Sequence, residues 1–66
     1  MIVTLNGERH EAADGSTVAS LIESLGADRR GVAVALGGEV VPRRRWADTE
    51  LAEGDRVEVV AAIQGG

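Results

Sequence analysis

The stretch DRVEVVAAI, residues 55–63, decides the fold. Val57, Val59, Ala61 and Ile63 fall on one face of an extended chain and Glu58 on the other, the period-two pattern of a strand. A strand carries a backbone donor and acceptor at every residue, and those groups need partners. Where this one finds them depends on everything that precedes it.

The chain opens with MIVTL (1–5) and ERHEAA (8–13) around Asn6-Gly7. An Asn-Gly pair between strand-like runs suits a type I′ turn, which needs positive φ at both central positions, so a β-hairpin is expected. Met1, Val3 and Leu5 share one of its faces. ADGS then breaks the pattern, and in TVASLIESLG (17–26) Val18, Leu21, Ile22 and Leu25 fall at i, i+3, i+4 and i+7. That spacing predicts a helix with one apolar stripe, capped by Ser16 or Thr17 and ended by Gly26. About ten residues make a marginal helix in water, so the stripe must dock, and the opening hairpin is the expected partner.

GVAVAL (31–36) and EVVPR (39–43) flank Gly37-Gly38 and predict a second hairpin. Pro42 cannot donate to a ladder, which puts it at a strand end or edge. RRRWADTELAEGD (43–55) reads as an irregular connection, with a helical turn over residues 48–51 and a tight turn at Glu53-Gly54-Asp55.

Hairpin, helix, hairpin, loop and strand give an α+β domain: a mixed sheet of four to five strands with one main helix across one face. Placing the last strand beside the first, parallel and central, produces the β-grasp arrangement. The domain then covers residues 1–62, and residues 63–66 leave the sheet as a flexible Gly-Gly tail.

The totals limit what such a domain can do. At 66 residues only about 60% of the unfolded surface can be buried, and without cysteine there is no disulfide, thiolate metal site or thiol nucleophile. Eleven acids against seven bases leave a net charge of −4, a poor match to nucleic acid, which wants a basic face or stacking aromatics. Every base is Arg, so neither a Schiff-base lysine nor a phosphate-loop lysine exists. The N-terminal stretch has no signal-peptide pattern and no apolar run nears the ~20 residues of a membrane span, so a soluble, cytoplasmic protein is expected.

No catalytic constellation stands out. His10, the single histidine, has no second ligand at zinc-like spacing and reads as a solvated strand residue; no metal site is expected. Arg43, Arg44 and Arg45 form the densest charge cluster, either a solvated loop or a docking patch for an acidic partner. Trp46 beside them is the only aromatic residue, either a core filler or an interface anchor, with partial burial favoured.

That leaves the terminal AIQGG (62–66). Read blandly, Gly65 and Gly66 are a frayed end. Read chemically, an α-carboxylate on Gly66 is ionised at neutral pH and can attack the α-phosphate of ATP. The resulting acyl-adenylate has an electrophilic carbonyl, from which a sulfur or amine nucleophile displaces AMP. Two residues without a Cβ let such a tail enter a narrow channel. Gly37-Gly38 cannot do this chemistry, because its carbonyls are amides.

LNGE (5–8), TVASLIESL (17–25), VAVALGGEVVPR (32–43), Trp46, Leu51, GDRVEVV (54–60) and the terminal Gly-Gly together resemble the ThiS family, the small ubiquitin-like sulfur carriers of thiamine biosynthesis, over essentially the whole chain. Gly37 departs from the pattern, since such carriers often have Asn there; both suit a type I′ turn. The resemblance implies that Gly66 is adenylated by a ThiF-like adenylyltransferase using ATP and magnesium, then converted to a thiocarboxylate. Sulfur would come from cysteine through a desulfurase and pass to a ThiG-like thiazole synthase. Gly65 gives access, while Ile63 and Gln64 are expected to line the partner's channel. The protein is then a cosubstrate rather than an enzyme, binding no cofactor of its own. Carriers for molybdopterin or cysteine synthesis, a protein modifier joined through Gly66, and a β-grasp binding module with an inert tail are the alternatives.

Overall fold

Asn6 and Gly7 take φ of 51° and 84°, and Asn6 is the only non-glycine residue with positive φ among the described residues. The type I′ expectation therefore holds, and the turn joins β1 (Ile2–Leu5) to β2 (Glu8–Glu11) with Leu5 opposite Glu8 and Val3 opposite His10. Gly37 and Gly38, at 60° and 90°, do the same between β3 (Val32–Leu36) and β4 (Glu39–Val41). The computed structural model describes residues 1–26 and 29–61, Arg29 by its backbone alone. Residues 62–66 lie outside the described residues. So do the expected strand residue Ile63, the limit of the domain at 62 and the tail 63–66.

The last strand, β5 (Arg56–Ala61), enters the sheet between the two hairpins, giving the order β2-β1-β5-β3-β4. It runs parallel to β1, with Thr4 beside Arg56 and Leu5 beside Val57, and antiparallel to β3 from Leu36–Val57 to Val32–Ala61. This is the mixed five-stranded sheet of the β-grasp fold.

Thr17 begins α1 (Val18–Ser24) with a capping box. Its hydroxyl accepts from the Ser20 amide at 3.1 Å, and the Ser20 hydroxyl accepts from the Thr17 amide at 2.9 Å. Two of the amides a helix start leaves without partners are thereby satisfied. Val18, Leu21 and Ile22 are buried as the stripe requires. Leu25 is 39% exposed, because the helix ends at Ser24 and Leu25 is its C-cap.

The helix does not dock on the opening hairpin alone. Val18, Leu21 and Ile22 share one core with Val34 of β3, Val57 of β5, Trp46 and Leu51, with Met1, Leu5 and Val59 at its margin. Each buried aliphatic side chain contributes about 1.5–3 kcal/mol, so the connection that supplies Trp46 and Leu51 matters as much as a strand.

That connection differs from expectation. A 3-10 helix occupies Arg43–Asp48, starting directly after Pro42, while residues 49–51, expected as helical, run extended. Glu50 forms an antiparallel bridge with Thr17, the Val18 amide donates to the Thr49 carbonyl at 2.9 Å, and the Leu51 amide donates to the Ser16 carbonyl at 2.9 Å. Pairing with the approach to α1 satisfies the backbone in a way a helical turn could not, and it directs Leu51 inward. The turn at Gly54 appears as expected, with φ of 85° and the Asp55 amide bonded to the Ala52 carbonyl at 3.0 Å.

Candidate functional site

The residues on which the chemistry was expected to rest, Gly65 and Gly66, lie outside the described residues, as do Ile63 and Gln64. What the structure does describe is the platform from which they depart. β5 is held on both flanks. On one side Val59, Val60 and Ala61 pair with Val34, Ala33 and Val32. On the other, the Thr4 amide donates to the Asp55 carbonyl at 2.8 Å and the Asn6 amide to the Val57 carbonyl at 2.9 Å.

The chain of β1 then turns away, yet the ladder gains one more rung. Nδ2 of Asn6 donates to the Val59 carbonyl at 3.1 Å, and Oδ1 accepts from the Val59 amide at 2.8 Å. A side-chain amide thus stands in for the next strand residue, two positions before the last described residue of β5. Sequence reasoning used Asn6 only as a turn former. The choice of Asn over Gly at the first turn position was the available signal, since only Asn adds both a donor and an acceptor.

The sheet face opposite the helix carries an apolar strip. Val60 lies beside Ala33, and Ala35 beside Val40, with Val60 63% and Val40 73% exposed. Glu58 borders this strip opposite Ala35. No pattern in the sequence marked these positions, because alternation assigns them to solvent without saying that they adjoin.

Arg43, Arg44 and Arg45 are all exposed, on the 3-10 helix rather than on an irregular loop. Trp46 is 3% exposed and its Nε1 donates to the Val41 carbonyl at 2.9 Å. It is a core residue and offers no free face as an interface anchor. Its ring carries the Arg43 guanidinium at 5.9 Å, a cation–π arrangement. The indole bond also ties the 3-10 helix to the last residue of the edge strand β4, and Pro42, which follows, has no amide to donate.

His10 is half-buried on β2 beside Ser16, Ser20 and Ser24. The three hydroxyls donate to the carbonyls of Ala13, Thr17 and Leu21, so each proton is already used within the chain. Among the described residues no group of three or more His, Cys, Asp or Glu is placed to hold a metal. No helix there is long and apolar enough to cross a membrane.

A family model described as the ThiS family matches residues 3–66. The sulfur carrier protein ThiS of Thermus thermophilus is 42% identical over 65 residues, covering 98% of this chain and 100% of the relative. A thiazole synthase of Paramagnetospirillum magneticum is 39% identical over 66 residues, covering all of this chain but 20% of the relative, so the chain spans about a fifth of that protein. The crystal structure of thiamine biosynthesis protein ThiS from Geobacter metallireducens superimposes with a TM-score of 0.87 at 33% identity, covering 100% of both chains. With a family match over nearly every residue and a fold shared end to end, the chain belongs to the ThiS family.

Proposed function

We propose that this protein is the sulfur carrier of thiazole formation in thiamine biosynthesis, with the Gly66 carboxylate as the group that is loaded. A carboxylate oxygen of Gly66 attacks the α-phosphorus of ATP, the bond to the β-phosphate breaks, and pyrophosphate leaves. A sulfide nucleophile then attacks the acyl-adenylate carbonyl and expels AMP, leaving a thiocarboxylate. If sulfur arrives as a persulfide, a thiol must supply the two electrons that free it. Gly65 keeps the approach to the carbonyl narrow.

On this reading ATP and magnesium are held by a ThiF-like adenylyltransferase, since no phosphate-binding loop is legible in this chain. Sulfur is drawn from cysteine through a desulfurase, and the acceptor is a ThiG-like thiazole synthase. The chain is a cosubstrate working in the cytoplasm with these enzymes, carrying a group much as a cofactor does. The single observation that carries the reading is the end-to-end match to a sulfur carrier protein. The match to a fifth of a thiazole synthase supports that enzyme class as the acceptor.

Intact mass with tandem fragmentation tests the proposal, on protein incubated with a ThiF-like enzyme, ATP and a sulfur source. A mass gain of one oxygen-for-sulfur exchange, located on Gly66, is expected. An unmodified terminus under those conditions would refute the carrier role and leave a binding module.

A further inference from the structure

Three consecutive arginines in a chain of net charge −4 sit on an unusually well-tied support. The Arg45 amide donates to the Pro42 carbonyl at 2.8 Å, and the Thr49 hydroxyl donates to the Arg45 carbonyl at 2.7 Å. Trp46 fixes the next position by its burial and its bond to Val41. Arg43 lies over the Trp46 ring, while Arg44 and Arg45 project from the same short helix. Among the described residues no carboxylate forms an ion pair with any of the three.

A merely solvated charge run gains nothing from such a support. Three like charges at consecutive positions repel one another, and holding them in place maintains that repulsion until an opposing surface neutralises it. The Arg43 guanidinium rests on Trp46 and the backbone of Arg45 is held at both its amide and its carbonyl, so the three guanidinium groups, suited to bidentate recognition of carboxylates, start from a defined place on the surface.

The cluster is also close to where β5 ends. Val34 pairs with both Val41 and Val59, so β4 ends, two residues before Arg43, level with Val59 and two strand spacings from it. That separation is about 10 Å. On the carrier reading the sulfur is borne by Gly66, five residues beyond Ala61, a reach of at most about 18 Å. Sulfur held that close to the sheet cannot enter an enzyme's active site unless the body of the carrier abuts the enzyme near the end of β5, where the arginines also lie.

We infer that Arg43, Arg44 and Arg45 form a docking patch for an acidic surface on the thiazole synthase that accepts the sulfur. This rests on the carrier reading above. The synthase is chosen because sequences like this one form part of thiazole synthase chains in two relatives, where carrier and enzyme stay together. Such a patch steers encounter and sets the apparent affinity for the carrier, and it leaves the chemical step alone.

The test uses full-length carrier bearing the thiocarboxylate, with purified thiazole synthase, and reads KM and kcat for the carrier at increasing salt. The double variant R44E/R45E keeps Arg43 on Trp46. R9E, on the far edge strand β2, changes net charge away from the patch. We expect R44E/R45E to raise KM about tenfold or more at low ionic strength with kcat unchanged. R9E should stay near the wild-type protein, whose own KM should climb with salt. Equal KM values for R44E/R45E and wild type at every salt overturn the proposal, as does an equal rise in R9E, which would implicate net charge. A rise confined to the adenylation step assigns the patch to the activating enzyme and overturns the choice of the synthase. Those failures leave the carrier reading standing. Loss of thiazole formation by the loaded wild-type carrier itself removes that reading and the patch with it.

Discussion

The side chain of Asn6 closes a two-point bond on the backbone of Val59, donating to its carbonyl at 3.1 Å and accepting from its amide at 2.8 Å. The Asp55, Val57 and Val59 carbonyls are thus taken in turn by the Thr4 amide, the Asn6 amide and the Asn6 side chain. One residue turns the first hairpin and also prolongs the parallel pairing of the last strand. A local event at the start of the chain thereby anchors the segment from which the tail departs.

Replacing Asn6 separates the two roles. Asn6→Gly keeps the positive φ and removes the clamp, at an expected cost of about 1 kcal/mol for two partly exposed hydrogen bonds. Asn6→Ala adds about 1–2 kcal/mol for a Cβ in the left-handed region. Thermal unfolding should show a drop in Tm of about 4–8 °C per kcal/mol, larger for Ala. Amide exchange at Val59 should accelerate in both. A Gly variant as stable as the wild type, with Val59 still protected, would show that the clamp contributes nothing.

Trp46, the only aromatic residue, provides its own reporter. Its indole is buried, so the emission of the folded protein should be blue-shifted and should move to the red on unfolding. Trp46→Phe retains much of the buried ring but leaves the Val41 carbonyl without its indole donor, an expected loss of about 1–3 kcal/mol. Trp46→Ala should cost about 3–5 kcal/mol, a large part of the stability of so small a domain. Urea titration of the two variants by circular dichroism checks the order. Equal midpoints for Trp46→Ala and wild type would contradict the core placement.

Turn chemistry made most of the fold legible. Asn6-Gly7, Gly37-Gly38 and Gly54 announce themselves because positive φ is a local demand that few residues meet. The 3-10 helix at Arg43–Asp48 was not legible, since Arg-Arg-Arg-Trp shows no apolar period. Its position follows from Trp46 reaching the core and from Thr49, Glu50 and Leu51 pairing with Ser16–Val18, contacts between residues far apart in the chain. Leu25 was misjudged for a related reason: spacing places it on the stripe, but the helix stops just before it. Arg43, Arg44 and Arg45 were visible as a cluster, while their rigid support was not. The terminal glycines are legible only through chemistry, because no packing argument needs them.

Thr17 offers a test of the helix itself. Its hydroxyl and that of Ser20 form a reciprocal cap, so Thr17→Ala should destabilise the domain by about 1 kcal/mol and Thr17→Ser by only a few tenths. Denaturant midpoints decide this, with m unchanged in both variants. An Ala variant matching Ser would mean that packing alone starts α1, through Val18 and the bridge between Thr17 and Glu50.

The carrier chemistry makes its sharpest demand at position 65. If the tail must pass through a channel to bring the Gly66 carboxylate in line with the α-phosphate, a branched side chain beside it both widens the tail and restricts its backbone. Gly65→Val should therefore lower the rate of pyrophosphate release with a ThiF-like enzyme by about a hundredfold, the scale on which a misplacement of 1 Å slows a positioned reaction. The same variant should unfold at the wild-type temperature, since the core described around Ile22, Val34 and Val57 is built from residues that precede position 65 in the chain. Measured together, the two readouts separate reactivity from stability. Normal pyrophosphate release from Gly65→Val would mean that the glycine pair is not read by the activating enzyme.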